Sequence, residues 1–235
     1  MRYLIRFEKK DRMIYISHLD VQRVFHRAVK RLSIDLKYSK GFNPHPKLSF
    51  AQPLSLGHSS TSEYLEFETE KDTTPPALLK ERFNTILPRG IRIIDAWTLP
   101  YPGKSVSSLV AAAKYLIEIP FFYTYRETTM EFFGRERIMA EKSKKNSEPI
   151  NIRPMIISLK PLMANDNTIA LTSTLHCGSN SNLNPELMLR CFYECGGKAY
   201  DRDVVKFERV AMLGWSGDEL TPLEYLCGAH TERRT

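Results

Sequence analysis

The hydrophobic and polar positions at the start of the chain follow two different periods. Residues 2–9 (RYLIRFEK) alternate between apolar and polar side chains, which predicts a β-strand. Ser17 and Asp20 then form the S-x-x-D pattern of a helix N-terminus, with a carboxylate where the helix dipole stabilises it. Apolar residues recur behind them at helical spacing as far as Leu32. We therefore predict a strand followed by an amphipathic helix of about four turns.

The pattern continues with short extended pieces and a second helix. Residues 62–70 alternate as a strand, and Pro75-Pro76 begin a helix that ends at the Pro-Arg-Gly of 88–90. Residues 90–99 form the next predicted strand. The order strand, helix, strand, strand, helix, strand is the split βαβ pattern of a ferredoxin-like sandwich.

The second half of the chain repeats this order loosely. Its predicted strands and helices are the strands at 113–121, 150–162, 167–177 and 204–215, with helices at 124–136 and 184–197. We expect an α+β protein with two ferredoxin-like sandwiches in tandem. The expected divisions are a basic first domain at 1–100, a second domain at 106–215 and a C-terminal tail at 216–235.

Composition sets the class of protein. The chain has 235 residues, of which 42% are hydrophobic and 26% charged, so it has ample apolar material for a core. No apolar run approaches the roughly 18–20 residues that cross a bilayer, so we expect no membrane association. The N-terminus is charged within six residues, which is unlike a signal peptide, and we expect a cytoplasmic protein. We accordingly expect reduced thiols at Cys177, Cys191, Cys195 and Cys227.

The positive charge is concentrated in one segment. The whole chain carries a formal net charge of +7, yet residues 1–50 alone hold twelve Lys and Arg against four Asp and Glu. The rest of the chain is therefore close to neutral. A basic surface confined to one segment indicates a polyanionic partner, and RNA (tRNA or rRNA) is the candidate we favour.

Three motifs in this basic segment occur together. They are ISHLDVQRVFHRAVKR, then GFNPHPKLSFA, then PLSLGHSSTSEYLEF, all within residues 2 to about 68. In combination they resemble the hallmark of the radical SAM-linked protein family, an uncharacterised bacterial family. The resemblance assigns the motif positions to Gly41, Phe42, Pro44, Pro46, Gly57, Glu63 and Tyr64.

The resemblance implies a radical SAM enzyme as partner, because family members are fused to such enzymes or encoded beside them. Radical SAM enzymes hold a [4Fe–4S] cluster with three cysteines at C-x3-C-x2-C. Here Cys191 and Cys195 have the first spacing, but Lys198 stands where the third cysteine belongs. We therefore expect no cofactor in this chain and expect it to serve the enzyme rather than to be it.

Histidines form a second group of candidates. His18 follows the helix cap, His45 is fixed between two prolines, and His58 lies in a loop of small residues. His18 and His45 are candidate catalytic residues for acid–base chemistry on a ribose hydroxyl. Together with His58 they are also a candidate for a Zn²⁺ or Fe²⁺ site, although the usual H-x-x-x-H spacing is absent. The alternative is that all three have structural roles or contact RNA.

Basic and aromatic residues form a third group. Arg23, Arg27, Lys30 and Arg31 fall on one face of the predicted helix, because they are spaced by four, three and one residues. The candidate RNA-binding residues are Arg23, Arg27, Lys30, Arg31, Lys37, Tyr38, Lys40, Asn43 and Lys47. Lysine and arginine neutralise phosphates, and Tyr38, Phe42 or His45 can stack on unpaired bases. The alternative is a solvated helix face beside core aromatics.

Three functions remain open from the sequence. The leading hypothesis is an RNA-binding accessory protein that presents substrate to, or docks with, a radical SAM enzyme acting on RNA. The second is a metal-independent endoribonuclease that uses histidine acid–base chemistry, since tandem ferredoxin-like domains with a histidine near the first helix are similar to the CRISPR repeat-cleaving nucleases. The third is a protein–protein adaptor without nucleic-acid contact.

Overall fold

The computed structural model of the protein describes residues 1–71, 73–141 and 148–229. Two compact units are present: unit 1 comprises Met1–Val110 with Ala211–Thr235, and unit 2 comprises Ala111–Val210. Both contain strands and helices, so the expectation of a mixed α+β protein is confirmed. No helix in the described ranges is long and apolar enough to cross a membrane.

Strands and helices are interspersed along the chain in both units. The strands are β1 Arg2–Lys9, β2 Leu48–Phe50, β3 Ser59–Glu68, β4 Ile91–Thr98, β5 Ala112–Pro120, β6 Met139–Ala140, β7 Ile150–Asn151, β8 Ile156–Ala164, β9 Thr168–His176, β10 Lys206–Ser216 and β11 Glu219–Pro222. The α-helices are α1 His18–Arg31, α2 Pro76–Asn84, α3 Val106–Leu109, α4 Tyr125–Gly134, α5 Pro185–Cys195 and α6 Leu223–Leu226. Two 3-10 turns lie at Asp11–Tyr15 and Arg153–Met155.

In unit 1 the strand β1 lies between β4 and β3, and both pairings are antiparallel. The short strand β2 pairs antiparallel with β3 on the side away from β1, where Leu48 lies opposite Phe67. The part of β10 that belongs to unit 1 also lies beside β3, and the Met212 amide donates to the Ser62 hydroxyl at 3.1 Å. The strand order in this unit is therefore β4-β1-β3, with β2 and β10 sharing the outer edge of β3.

The helix α1 covers this sheet with its apolar face. Its N-cap is Ser17, whose hydroxyl accepts a hydrogen bond from the Asp20 amide at 3.1 Å, as the sequence predicts. Phe25 is fully buried and its ring packs 4.7 Å from that of Phe7 on β1 and 6.2 Å from that of Phe83 on α2. These rings form the centre of the unit 1 core, and they fix the orientation of α1 so that its polar face points to solvent.

The C-terminal segment contains two short elements in its described part. Residues 219–226 form β11 and α6, and β11 pairs with β10 from Leu213↔Pro222 to Ser216↔Glu219. Leu223 is fully buried and Glu224 is 8% exposed. Elements of four residues are too short to show a hydrophobic period, so the sequence pattern carries no signal for them.

In unit 2 the order is β10-β5-β9-β8, with β5 and β9 in antiparallel register from Ala112↔His176 to Pro120↔Thr168. The helices α4 and α5 contribute Phe132 and Phe192, whose rings meet edge to face at 5.6 Å. The sequence predicts one strand over 150–162, but the 3-10 turn Arg153–Met155 separates β7 from β8 there. Pro154 lies inside that turn and favours its geometry.

Candidate nucleic-acid interface

The exposed face of α1 carries unneutralised positive charge. Arg27, Lys30 and Arg31 are all exposed, and none of them has an ion-pair partner among the residues that the structure describes. Arg23 differs from them, because its guanidinium forms an ion pair with Asp20 at 2.8 Å. The face predicted from the sequence therefore exists, with three available cations and a fourth that is partly neutralised.

The N-terminus of α1 is a capped helix start. The Ser17 hydroxyl donates to the Asp20 carboxylate at 2.7 Å, and hydrogen bonds from Ser17 and Arg23 hold the pKa of Asp20 below its usual range. His18 is half-buried, its Nε2 lies 3.1 Å from the side-chain nitrogen of Gln22, and its ring meets that of Phe50 edge to face at 5.3 Å. These contacts with Gln22 and Phe50 fix the orientation of the His18 imidazole.

Residues 37–47, which we call the proline loop, form an irregular hairpin. The Lys47 amide donates to the Lys37 carbonyl at 2.7 Å, and Tyr38 and Pro46 are bridged as in an antiparallel pair. Further along, the Ser39 amide donates to the His45 carbonyl at 2.8 Å, while the His45 amide donates to the Ser39 hydroxyl at 3.0 Å. The two arms are thus joined at three successive levels, which fixes the loop base.

The tip of the proline loop presents side chains to solvent. Phe42 is completely exposed, and Tyr38 is 55% exposed. The exposed residues of the tip are Lys40, Gly41, Phe42, Asn43, Pro44 and His45. Gly41 has φ of 138°, which side-chain-bearing residues rarely adopt, so the turn before Phe42 needs a glycine. The loop therefore displays a phenylalanine that contributes nothing to the core.

Two of the predicted RNA-binding lysines lie at the loop base rather than at its tip. Lys47 Nζ donates to both carboxylate oxygens of Glu68 at 3.0 Å, and Lys37 Nζ lies 3.7 Å from the same group. This contact with Glu68 raises the pKa of Lys47. Lys37 also lies 5.6 Å from the centre of the exposed Tyr101 ring. The loop base therefore keeps one net positive charge from its two lysines.

The three candidate histidines occupy different environments. His58 is 1% exposed, His18 is half-buried, and His45 is exposed. In the described residues, no three His, Cys, Asp or Glu side chains lie together in a way that would hold a metal ion. The structure therefore does not bring His18, His45 and His58 into one metal site.

The remaining motif positions, Gly57, Glu63 and Tyr64, make contacts within unit 1. Gly57 has φ of 76°, and its amide donates to the Ile14 carbonyl at 2.8 Å. Glu63 is buried on β3 opposite Phe7. Tyr64, its neighbour, is also buried and donates to the Glu224 carboxylate at 2.6 Å. Because successive side chains of a strand point to opposite faces of the sheet, Glu63 and Tyr64 are buried on opposite faces of β3.

Tyr64 belongs to a partly buried charged network, which we call the Arg6 network. The Arg6 guanidinium forms ion pairs with Asp95 and, at 3.3 Å, with Glu224. It also lies 5.9 Å from the centre of the Trp97 ring. Burial, and after it the negative charge of Glu224, raises the pKa of Tyr64. The sequence reasoning missed this network, because Arg6 and Glu224 are too far apart in the chain for any spacing pattern to connect them.

All four cysteines are free thiols in the structure. Burial raises the pKa of Cys191 to about 11 and that of Cys227 to about 12. Cys195 is half-buried and its pKa is also raised by burial. At neutral pH the thiols of Cys191, Cys195 and Cys227 are protonated, so they are poor nucleophiles and poor metal ligands.

The geometry defines a mixed α+β protein whose first unit displays unpaired cations and an exposed aromatic residue. The chain belongs to the bacterial family described as "Uncharacterized protein conserved in bacteria (DUF2344)", whose model matches residues 2–185. No curated protein matches the chain.

Among solved structures, the chain is similar to one from a Cbf5-Nop10-Gar1 complex at 10% identity and a TM-score of 0.49, covering 89% of this chain and 48% of that one. It is also similar to one from an archaeal box H/ACA sRNP Nop10-Cbf5 complex at 11% identity and a TM-score of 0.45, covering 88% and 46%. An unknown protein from Galdieria sulphuraria matches at 13% identity and a TM-score of 0.26, covering 88% and 95%. The chain thus spans about half the length of the first two.

Proposed function

We propose that this protein is an RNA-binding accessory protein that presents RNA to, or docks with, a radical SAM enzyme acting on RNA. The observation that carries the RNA-binding part is the exposed face of α1. Arg27, Lys30 and Arg31 project from one rigid helix without ion-pair partners in the described parts of the chain. Unpaired cations on a fixed surface do not have to break an ion pair before they bind phosphates. Their binding also releases the counterions of the nucleic acid, which favours the complex.

The proline loop supports the same function. Phe42 is fully exposed at a tip whose base is fixed by hydrogen bonds, and Lys40, Asn43 and His45 are exposed beside it. An exposed aromatic ring on a constrained loop can stack on an unpaired base with little loss of conformational entropy. In this proposal His45 contacts RNA. An acid–base role for His45 or His18 belongs to the alternative in which the protein is an endoribonuclease.

The radical SAM partner rests on the motif resemblance of residues 2 to about 68 and on Lys198 standing in place of a third cluster cysteine. We interpret the strand orders β4-β1-β3-β2 in unit 1 and β10-β5-β9-β8 in unit 2 as two split βαβ arrangements in tandem.

Charge reversal on α1 tests the RNA-binding part. We would measure binding to fluorescent tRNA and rRNA fragments by anisotropy between about 50 and 200 mM salt. The triple variant R27E/K30E/R31E should lose at least about tenfold in affinity, and its salt dependence should become shallower by roughly three phosphate contacts. The matched control is R137E/K160E/K198E, three exposed unit 2 cations with no ion-pair partner among the described residues, and it should bind as the wild type does.

Absent binding, or binding that does not depend on salt, would exclude the RNA-binding function. Gel analysis of the same RNA after incubation decides about cleavage: intact RNA supports an accessory role, whereas products that disappear in His18→Ala or His45→Ala would establish an endoribonuclease. Co-purification with a radical SAM enzyme from the native bacterium tests the partner. A complex that survives high salt while no RNA binds would instead identify an adaptor.

A further inference from the structure

A cleft lies between α1 and the segment that follows α2. It has a volume of about 240 Å³ and is lined by Val24, Arg27, Ala28, Arg31, Ile86, Leu87 and Pro88. Its floor is therefore apolar, and its two lining cations belong to the exposed face of α1. The apolar lining residues are buried or half-buried, so the floor is part of the folded surface rather than a loose flap.

The two arginines of the cleft are placed to bind one anion. Arg27 and Arg31 are four residues apart on α1, so their Cβ atoms are about 5–6 Å apart on one helix face. Neither has an ion-pair partner within the described ranges. Two guanidinium groups at this spacing can donate to different oxygens of a single phosphate. An apolar floor beside a phosphate-binding pair matches a nucleotide, which has a flat apolar base next to its phosphate.

A second cleft adjoins the first and shares two of its residues. It has a volume of about 350 Å³, is lined in part by Leu87 and Pro88, and includes the exposed Arg92. Arg89 also lines this cleft, although it lies 3.8 Å from Asp11. The second cleft is lined by three cations and by the carboxylates of Glu8 and Asp11, so its lining carries one net positive charge. The two clefts meet at Leu87 and Pro88 and form one groove in unit 1. A groove of this kind is suited to a chain of nucleotides rather than to an isolated one.

We propose that this groove binds single-stranded RNA, an inference that rests on the proposed RNA-binding function. One unpaired base packs against Val24, Ile86 and Pro88, while its phosphate is bound by Arg27 and Arg31. The strand then continues along the second cleft toward Arg92. In this proposal the groove binds unpaired nucleotides, so the RNA substrate presented by this protein has a single-stranded segment.

The test compares single-stranded with double-stranded RNA. The probes are a fluorescent RNA decamer without self-complementarity and a blunt-ended RNA duplex with the same number of phosphates, each titrated at about 100 mM salt. The variant V24Q/I86Q makes the floor polar and leaves every charge in place. It should weaken decamer binding about tenfold, which is within the range for loss of one base contact, and change duplex binding less than about twofold. The control V204Q alters a 52% exposed valine of unit 2 and should change neither.

A second measurement uses the unmodified protein, so it does not depend on the folding of any variant. A decamer with one 4-thiouridine is irradiated in the complex, and the crosslinked peptide is identified by mass spectrometry. Crosslinks within residues 86–88 or on α1 support the groove, and crosslinks confined elsewhere overturn it.

The outcomes separate the two proposals. If wild-type protein binds RNA and the α1 charge reversal weakens it, but V24Q/I86Q affects both probes equally or neither, the groove inference fails and RNA binding stands. If neither probe binds, the proposed function itself fails. Tighter binding of a poly-glutamate peptide than of the decamer would also overturn the groove inference, because it would identify an acidic protein as the occupant.

Discussion

Removing the carboxylate of Glu224 should destabilise unit 1 strongly, although the residue lies only a few positions from the end of the described chain. Glu224→Ala eliminates the acceptor of the Tyr64 hydroxyl, at 2.6 Å, and one of the two ion pairs of Arg6. Tyr64 is 2% exposed, so its hydroxyl has little access to bulk water in place of the lost acceptor. The phenol is then left as a buried donor without its partner.

The magnitude follows from these two contacts. A hydrogen bond to a charged group contributes about 1.5–3 kcal/mol. Breaking a fully buried ion pair costs about 3–5 kcal/mol, but the Arg6 side chain is 30% exposed and retains Asp95, so its share is well below that range. We expect a total loss of about 2–4 kcal/mol in the free energy of unfolding. For a unit of this size the midpoint temperature should fall by on the order of 10 °C.

Tryptophan fluorescence measures this unit specifically. The chain has two tryptophans, and both Trp97 and Trp215 belong to unit 1. Urea unfolding followed by their emission gives the free energy and its denaturant dependence for the unit that changes. The matched control is Glu219→Ala, which removes an exposed carboxylate from the same C-terminal segment and should cost less than about 0.5 kcal/mol. A Glu224→Ala variant as stable as this control would refute the reasoning.

The pH dependence of stability provides an independent check on the same network. The pKa of Tyr64 is raised in the folded protein by burial and by Glu224. The protonated Tyr64 therefore contributes its full stabilisation below pH ~10, the pKa of tyrosine in the unfolded chain, and this stabilisation is lost as pH rises through the pKa of Tyr64 in the folded protein. Unit 1 should lose stability steeply above pH ~10, and Tyr64→Phe should flatten that decline. Equal slopes in both proteins would show that Tyr64 does not titrate as proposed.

Three further results are expected. Ser17→Ala removes the N-cap of α1 and should cost about 1 kcal/mol in urea unfolding, whereas an unchanged midpoint would mean that the cap contributes nothing. Phe42→Ala should change the free energy of unfolding by less than about 0.5 kcal/mol, because the ring is fully exposed, yet weaken RNA binding severalfold. The control Tyr123→Ala, at a 91% exposed residue, should change neither stability nor binding. A destabilised Phe42→Ala variant would contradict the exposed loop tip. Iodoacetamide labelling at about pH 8, followed by mass spectrometry, should modify the half-buried Cys195 before the buried Cys191, whose pKa is about 11. Faster modification of Cys191 would contradict the deeper burial of that thiol.

Much of the secondary structure was predictable because long elements carry their period in the local sequence. The strand predicted at 2–9 is observed as Arg2–Lys9, and the capped helix begins at His18 directly after Ser17. The helix starting at the two prolines also forms, as Pro76–Asn84. Short elements were not predictable, as β11 and α6 show, because they are stabilised by distant partners rather than by their own pattern.

The candidate site was predictable in part for the same reason. Helical spacing alone indicated that Arg27 and Arg31 share a face, and both are exposed on α1. Spacing could not reveal that Glu68 partly neutralises Lys37 and Lys47, since the carboxylate comes from another strand. Nor could it indicate whether Phe42 packs in the core or stands in solvent, because a phenylalanine between glycine and asparagine fits either position.

The amino-acid sequence by itself determined the periodic elements, the concentration of charge in the first 50 residues and the match of residues 2–185 to a bacterial family. These features depend on residues close together in the chain, so a local pattern records them. Only the tertiary structure decided which cations remain unpaired, that Glu224 is buried against Arg6 and Tyr64, and that α1 and residues 86–88 enclose a cleft. Each of these features depends on groups that are far apart in the chain and meet only when it folds. The free energy of burying or pairing such groups is set by their distance in space, and the order of residues in the sequence does not contain that distance.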